Sequence, residues 1–150
     1  MIKVGDRAPD FKLPSKGGTP VCLSEYKGNK VVLYFYPKDD TPGCTKEACS
    51  FQANLGSLKK KGAVVLGVSA DSVDSHTKFA EKFNLGFSLL SDETKEVCKT
   101  YGVWKQKSLY GRKFMGIERT TFVIDEHGVV QAIFPKVKVD GHTKEVLAVL

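Results

Sequence analysis

The chain has 150 residues, 41% hydrophobic and 27% charged, with a net charge of +6. This is the balance of one ordinary globular domain with a single sizeable core, spanning 1–150. The opening "MIKVGDRAPD" contains no apolar h-region, and no apolar run approaches the ~20 residues that span a bilayer, so neither a secretory signal nor a membrane anchor is expected and the chain reads as cytoplasmic. The lysines are scattered; the one run, Lys59-Lys60-Lys61, precedes a glycine and suits a helix C-terminus, so the charge implies no nucleic-acid partner.

The first thirty residues are rich in Gly, Pro and Ser and read as short extended pieces and turns, an N-terminal β-hairpin extension. "KVVLYFY" (30–36) is a short apolar run of β-branched and aromatic residues, the pattern of a buried strand closed by Pro37. In "TPGCTKEACSFQANLGSLKKKG", Ala48, Phe51, Leu55 and Leu58 recur at the spacing of one helical face. Thr41 can cap this helix, Pro42 suits its first turn and Gly62 its stop. "AVVLGVS" (63–69) reads as a second buried strand. "DSVDSHTKFAEKFN" (71–84) is a second helix, with Val73, Phe79, Ala80 and Phe83 inward. "FSLLSD" (87–92) is a third strand and "DETKEVCKTYG" (92–102) a third helix. "RTTFVIDEHGVVQAIFP" (119–135) is a hairpin around a glycine-containing turn, and "DGHTKEVLAVL" begins a last, short helix. Strands alternating with helices, then a hairpin and a helix, predict an α/β layer architecture with a central mixed β-sheet flanked by helices.

Four cysteines, at 22, 44, 49 and 98, in a chain read as cytoplasmic point to redox or metal chemistry rather than a static disulfide framework. Metal binding finds little support, because there is no CxxC and His76, His127 and His142 are far apart in sequence. Cys44 falls in the first turn of its helix, at the junction with a buried strand. There the unpaired backbone N–H groups and the helix dipole favour thiolate over thiol, and the thiolate is the nucleophile. By helical angle Cys44 shares the face of Ala48, Phe51 and Leu55 and points toward the sheet. Cys49 lies about 140° round and about 7.5 Å along the same helix, which puts the two Cα atoms roughly 8 to 9 Å apart. Disulfides need about 4.4 to 6.8 Å, so the pair can bridge only if the first turns unwind. On this geometry Cys49 is equally readable as a helix residue without a role. Cys22 and Cys98 read as core or spectator thiols. A fixed positive partner for the thiolate is best sought in Arg119, at the start of a strand-like run that can lie beside the Cys44 loop.

These residues carry a family resemblance. "FYPKDDTPGCTKEAC" resembles the active-site segment of the peroxiredoxins, in particular the bacterioferritin comigratory protein, or peroxiredoxin Q, branch. The family pattern of Pro, three residues, Thr or Ser, two residues, Cys falls on Pro37, Thr41 and Cys44. "GDRAPDFKLP" looks like the family's opening and "RTTFVID" like its later segment, whose arginine is Arg119. The resemblance implies a thioredoxin-like fold and a thiol peroxidase acting on hydrogen peroxide and organic hydroperoxides, with no metal or organic cofactor. It implies that Cys44 is the peroxidatic cysteine and that Thr41 hydrogen-bonds the thiolate and the peroxide oxygen. It gives Arg119 the developing charge to stabilise and Pro37 the pocket to shield. It further implies that Cys49 resolves the sulfenic acid as an intramolecular disulfide, which thioredoxin or a similar dithiol protein reduces, and that the chain is a monomer. Two other readings stand beside it. A thiol-disulfide oxidoreductase would want a CxxC pair, which is absent; a redox-dependent binding module or chaperone would react slowly with peroxide.

Overall fold

The computed structural model describes residues 1–150. Its centre is β3 (Lys30–Phe35), whose residues are apolar on both sides. Val31, Leu33 and Phe35 enter one core, and Val32 and Tyr34 enter the other. A strand buried on both faces has no polar alternation, which is why it reads as a continuous apolar run. Beside it in parallel lie β4 (Ala63–Ser69) and then β5 (Ser88–Ser91). On the other flank β8 (Thr120–Ile124) runs antiparallel, followed by β9 (Val130–Phe134). The sheet order is β5-β4-β3-β8-β9. This is the mixed α/β sheet predicted, and β8–β9 is the predicted hairpin. Its turn is held by the Asp125 carboxylate, which accepts from the backbone N–H groups of His127 and Val129. The N-terminal extension is a separate antiparallel pair, β1 (Lys12–Pro14) and β2 (Pro20–Cys22).

One face of the sheet is covered by α1 (Pro42–Ala53), α2 (Leu55–Lys60), α3 (Val73–Lys82) and α5 (His142–Val149), which contribute Phe51, Leu58, Phe79 and Val146 to its core. On the other face, Phe11, Leu13 and Val21 from the N-terminal segment pack with Cys98, Tyr101 and Val103 around α4 (Glu96–Thr100). No helix is long and apolar enough to cross a membrane.

Several boundaries differ from the pattern in the sequence. The helix expected to run without interruption to Lys61 breaks at Asn54, whose φ of −106° and ψ of 10° lie outside the helical well, giving α1 and α2. The third helix does not begin at Asp92. Lys95 stands at φ +65° and the helix starts after it, with the Asp92 carboxylate accepting from the Cys98 N–H. Residues 104–117, which carry no clear apolar period, form a hairpin of β6 (Trp104–Leu109) and β7 (Arg112–Ile117). Its residues are mostly exposed or half-buried, so no hydrophobic alternation marks it.

Candidate active site

The site sits where β3 ends and α1 begins, at the carboxyl edge of the parallel strands, where open α/β sheets place their function. Thr41 is the N-cap residue of α1 and Pro42 occupies its first turn. Cys44 follows in that turn, 1% exposed, its side chain inward with Ala48 and Phe51 as the helical angle predicts. Cys49, five residues on, is half-buried on the same unbroken helix, and both thiols are free.

Arg119 reaches this point through strand register. β8 is antiparallel to β3 and pairs Thr120 with Phe35, so the residue before β8 lands beside the residues that follow β3. Its Nη2 donates to the Cys44 Sγ at 3.4 Å, and its Nη1 donates to Glu47 Oε1 at 2.7 Å. Burial pushes the arginine's pKa down, but Glu47 and Cys44 more than offset that and hold it above its ordinary value. The approach also needs Gly43: a Cβ there would stand 3.2 Å from Nη2.

Glu47 was not legible as a site residue. It lies one turn beyond Cys44, is 1% exposed, and its Oε2 has no hydrogen-bond partner. Burial pushes its pKa up to about 7, against the lowering effect of Arg119. A glutamate in a lysine-containing amphipathic helix ordinarily signals a solvated face, and only the 119-to-47 contact reveals otherwise. The Tyr34 hydroxyl is likewise buried without a partner, and desolvation, then Glu47 and Cys44, raise its pKa.

Thr41 is in place but differently engaged. Its hydroxyl donates to the Lys38 carbonyl at 2.9 Å and makes no side-chain cap bond, contrary to the cap expected. Its oxygen lone pairs stay free, and the hydroxyl proton can reach a thiolate or peroxide only by leaving Lys38. Pro37 is half-buried at the turn that follows β3.

The loop between Pro37 and Thr41 is anchored by a second constellation that spacing could not predict. Asp39, buried, accepts from the Tyr36 hydroxyl at 2.5 Å and the Ser75 hydroxyl at 2.8 Å, and meets His76 Nδ1 at 2.7 Å. The Asp39 N–H donates to Asp71. His76 Nε2 lies 3.0 Å from the Leu90 carbonyl, an acceptor, so that nitrogen carries a hydrogen. The loop bearing the Pro-Thr-Cys pattern is thereby tied to α3 and β5. Cys98 is fully buried in the opposite core, and burial with Asp92 beside it pushes its thiol far up, which disfavours the reactive thiolate. Cys22 lies on β2 of the N-terminal pair, half-buried.

The arrangement offers a buried sulfur at a helix N-terminus, a fixed guanidinium against it, a second thiol out of reach in the folded helix, and a tied-down approach loop. The AhpC/TSA family model matches residues 4–133. The chain is 58% identical to the putative peroxiredoxin bcp of Coxiella burnetii, over 97% of both chains. It is 48% identical to peroxiredoxin Bcp of Bacillus subtilis, over 99% of this chain and 95% of that one. It superposes with a TM-score of 0.92 and 42% identity on the bacterioferritin comigratory protein of Xanthomonas campestris, covering 99% of this chain and 93% of that one; that protein was solved as trapped intermediate and ligand complexes bearing on its alkyl peroxide reduction activity. A family model over most of the chain, relatives at this identity over nearly full length, and a shared thioredoxin-like fold lead to one conclusion: the chain belongs to the AhpC/TSA family, as a peroxiredoxin of the bacterioferritin comigratory protein branch.

Proposed function

We propose that the chain is a thiol-dependent hydroperoxide reductase in which Cys44 attacks the peroxide, Arg119 organises the charge and Cys49 resolves the product. The observation that carries this reading is the Arg119 Nη2 contact with a buried sulfur in the first turn of a helix, 3.4 Å away. In the first step the Cys44 thiolate attacks one peroxide oxygen; an S–O bond forms and the O–O bond breaks. The other oxygen leaves with the electron pair and, taking up a proton, departs as water or an alcohol. Cys44 is left as a sulfenic acid, the first rung of thiol oxidation. Negative charge moves from sulfur onto oxygen during this transfer. Arg119, held by Glu47, is preorganised beside that path, where a fixed donor acts most strongly. The free N–H groups of the first turn of α1 complete the donor set, joined by the Thr41 hydroxyl once its proton leaves the Lys38 carbonyl.

In the second step the Cys49 thiolate attacks the Cys44 sulfur, hydroxide leaves and is protonated to water, and an intramolecular disulfide forms. In the folded helix the two sulfurs' backbones are too far apart for this, so the turns between them must unwind first. A dithiol protein of the thioredoxin kind then reduces the disulfide. Thiolate, guanidinium and resolving thiol all come from one chain, so the monomer is the functional unit in this reading. The test is peptide mapping by mass spectrometry after one equivalent of hydrogen peroxide. A Cys44–Cys49 disulfide in the wild type and no peroxide consumption by Cys44→Ser are the expected results. A disulfide from Cys44 to Cys22 or Cys98 would remove Cys49 from the cycle.

A further inference from the structure

The β6–β7 hairpin stands outside the five-stranded sheet, its strands paired only with each other. It carries Leu109, Tyr110, Phe114 and Met115, which are 57%, 96%, 46% and 50% exposed; the other large apolar side chains so exposed, Met1 and Val4, lie at the N-terminus. Tyr110 is the sharpest case. It and Gly111 have φ of +50° and +77°, the handedness that a two-residue type I′ turn requires at both central positions. Asparagine or glycine accepts that conformation readily, whereas a bulky side chain there is strained. The strain is not offset inside the fold, because the ring lies almost wholly in water.

The charge is equally one-sided. Between residues 104 and 117 stand Lys105, Lys107, Arg112 and Lys113, with no aspartate or glutamate. Lys105 is paired, with Glu118 at 2.9 Å; Lys107, Arg112 and Lys113 form no ion pair. The base of the hairpin adjoins the reaction pocket. β7 ends at Ile117, two residues before Arg119, and the Lys107 stem lies across Gly116, where a Cβ would sit 3.3 Å from its Cδ. The Lys107 ammonium is close enough to Arg119 and Cys44 to feel both charges. A basic, apolar ribbon about 20 Å long therefore leads from the sulfur to an exposed aromatic tip.

Such a ribbon is far larger than a small hydroperoxide needs. A second copy of the chain would set its cations against the same cations, which is unfavourable. The occupant that fits is a protein with an apolar, acidic face, and resting on the cycle proposed above, one such protein must reach the disulfide. We propose that the β6–β7 hairpin, led by Tyr110 and rimmed by Arg112 and Lys113, is the docking surface for the dithiol protein that re-reduces the enzyme. In that step a thiolate of the partner attacks one sulfur of the Cys44–Cys49 disulfide, and the chain's other sulfur leaves as a thiolate that takes up a proton from solvent. The partner's second thiol then breaks the mixed disulfide. Two electrons pass from partner to enzyme, which returns with both thiols reduced.

The experiment compares turnover of excess hydrogen peroxide driven by thioredoxin with turnover driven by dithiothreitol, which needs no docking face. Tyr110→Asn removes the ring and relieves the backbone, so it keeps the fold; Arg112→Glu/Lys113→Glu inverts the rim. For both, kcat/KM for thioredoxin should fall about tenfold, the loss of one anchoring contact. For the charge-inverted pair the wild-type decline of that constant with salt should disappear. Dithiothreitol-driven turnover and the stopped-flow rate with hydrogen peroxide should stay within about twofold, since neither variant touches the Cys44 pocket. A thioredoxin kcat/KM that Tyr110→Asn leaves unchanged overturns the proposal. So does wild-type turnover with dithiothreitol and none with thioredoxin. A loss confined to the stopped-flow rate with cumene hydroperoxide also overturns it, because the hairpin would then serve the substrate. Failure of the wild type to consume peroxide with either reductant would instead sink the peroxidase reading itself.

Discussion

Replacing Glu47 by glutamine keeps the shape of the side chain and removes its charge. An ordinary glutamate titrates near 4.5, and in the fold Glu47 is pushed up to about 7, by burial first and against the pull of Arg119. Between those two values the native state binds more protons than the unfolded chain. Stability must therefore fall as pH rises through that window, and the loss is complete above pH 7. At ~1.4 kcal/mol per pH unit the gap amounts to about 3 kcal/mol. Glutamine resembles the protonated form and carries no such dependence. Glu47→Gln and wild type should match to within ~0.5 kcal/mol at pH 4.5, and the variant should be more stable by about 3 kcal/mol at pH 8. The assay is urea unfolding followed by far-ultraviolet circular dichroism, under a reductant that keeps all four thiols free. A difference that stays flat between the two pH values, or a variant less stable at pH 8, would refute the reasoning. It would mean that the single bond from Arg119 fully offsets the burial of the carboxylate.

Arg119→Met should keep the stem packed and remove the donor, lowering the rate constant for hydrogen peroxide in stopped flow by about 10²- to 10³-fold, the range for a preorganised donor. Gly43→Ala improves helix propensity by ~1 kcal/mol, yet its Cβ would crowd Nη2 from 3.2 Å; the expected pairing is a raised thermal midpoint with a slowed peroxide step. Cys49→Ser should retain the first peroxide reaction and accumulate a sulfenic acid, read by dimedone labelling and mass spectrometry, with sulfinic acid following under excess peroxide. Asp39→Ala leaves His76, Ser75 and the Tyr36 hydroxyl without their shared acceptor, and should cost about 3 to 5 kcal/mol in urea unfolding, because three buried or half-buried polar groups lose a hydrogen bond at once.

The sheet was legible because β3 and β4 are buried on both faces, and such strands announce themselves as apolar runs. Cys44 was legible because a helix start is a local signal: Thr41, Pro42 and the strand before them fix where the first turn falls. Arg119 could be named as a candidate but not placed, since its approach depends on the pairing of Phe35 with Thr120, a long-range register. Glu47 and the Asp39–His76 pair were invisible for a related reason. Buried charge has no sequence signature of its own; it is tolerated only through partners that tertiary contacts supply. The β6–β7 hairpin escaped because it buries almost nothing, and periodicity reports burial.

Glu47 lies between the two thiols, in the stretch of helix that would have to open for the proposed Cys44–Cys49 disulfide. While the helix is folded, its carboxylate holds Arg119 against the sulfur, so in the proposed cycle the peroxide step would depend on it. The same burial leaves Oε2 without a partner and the charged form disfavoured. Unwinding that turn breaks the Arg119 bond but returns the carboxylate to water, which recovers its solvation. Above pH 7 the two effects oppose each other, and the net cost of opening is smaller than the cost of losing an ion pair alone. In the proposed cycle the folded helix therefore serves the peroxide step and at the same time carries, at its centre, a residue whose desolvation favours the opening that the proposed disulfide would require. The Asp39 clamp limits where the opening can spread: it ties the preceding loop to α3 and β5, so residues 37 to 40 stay anchored while the turns from Cys44 onward give way.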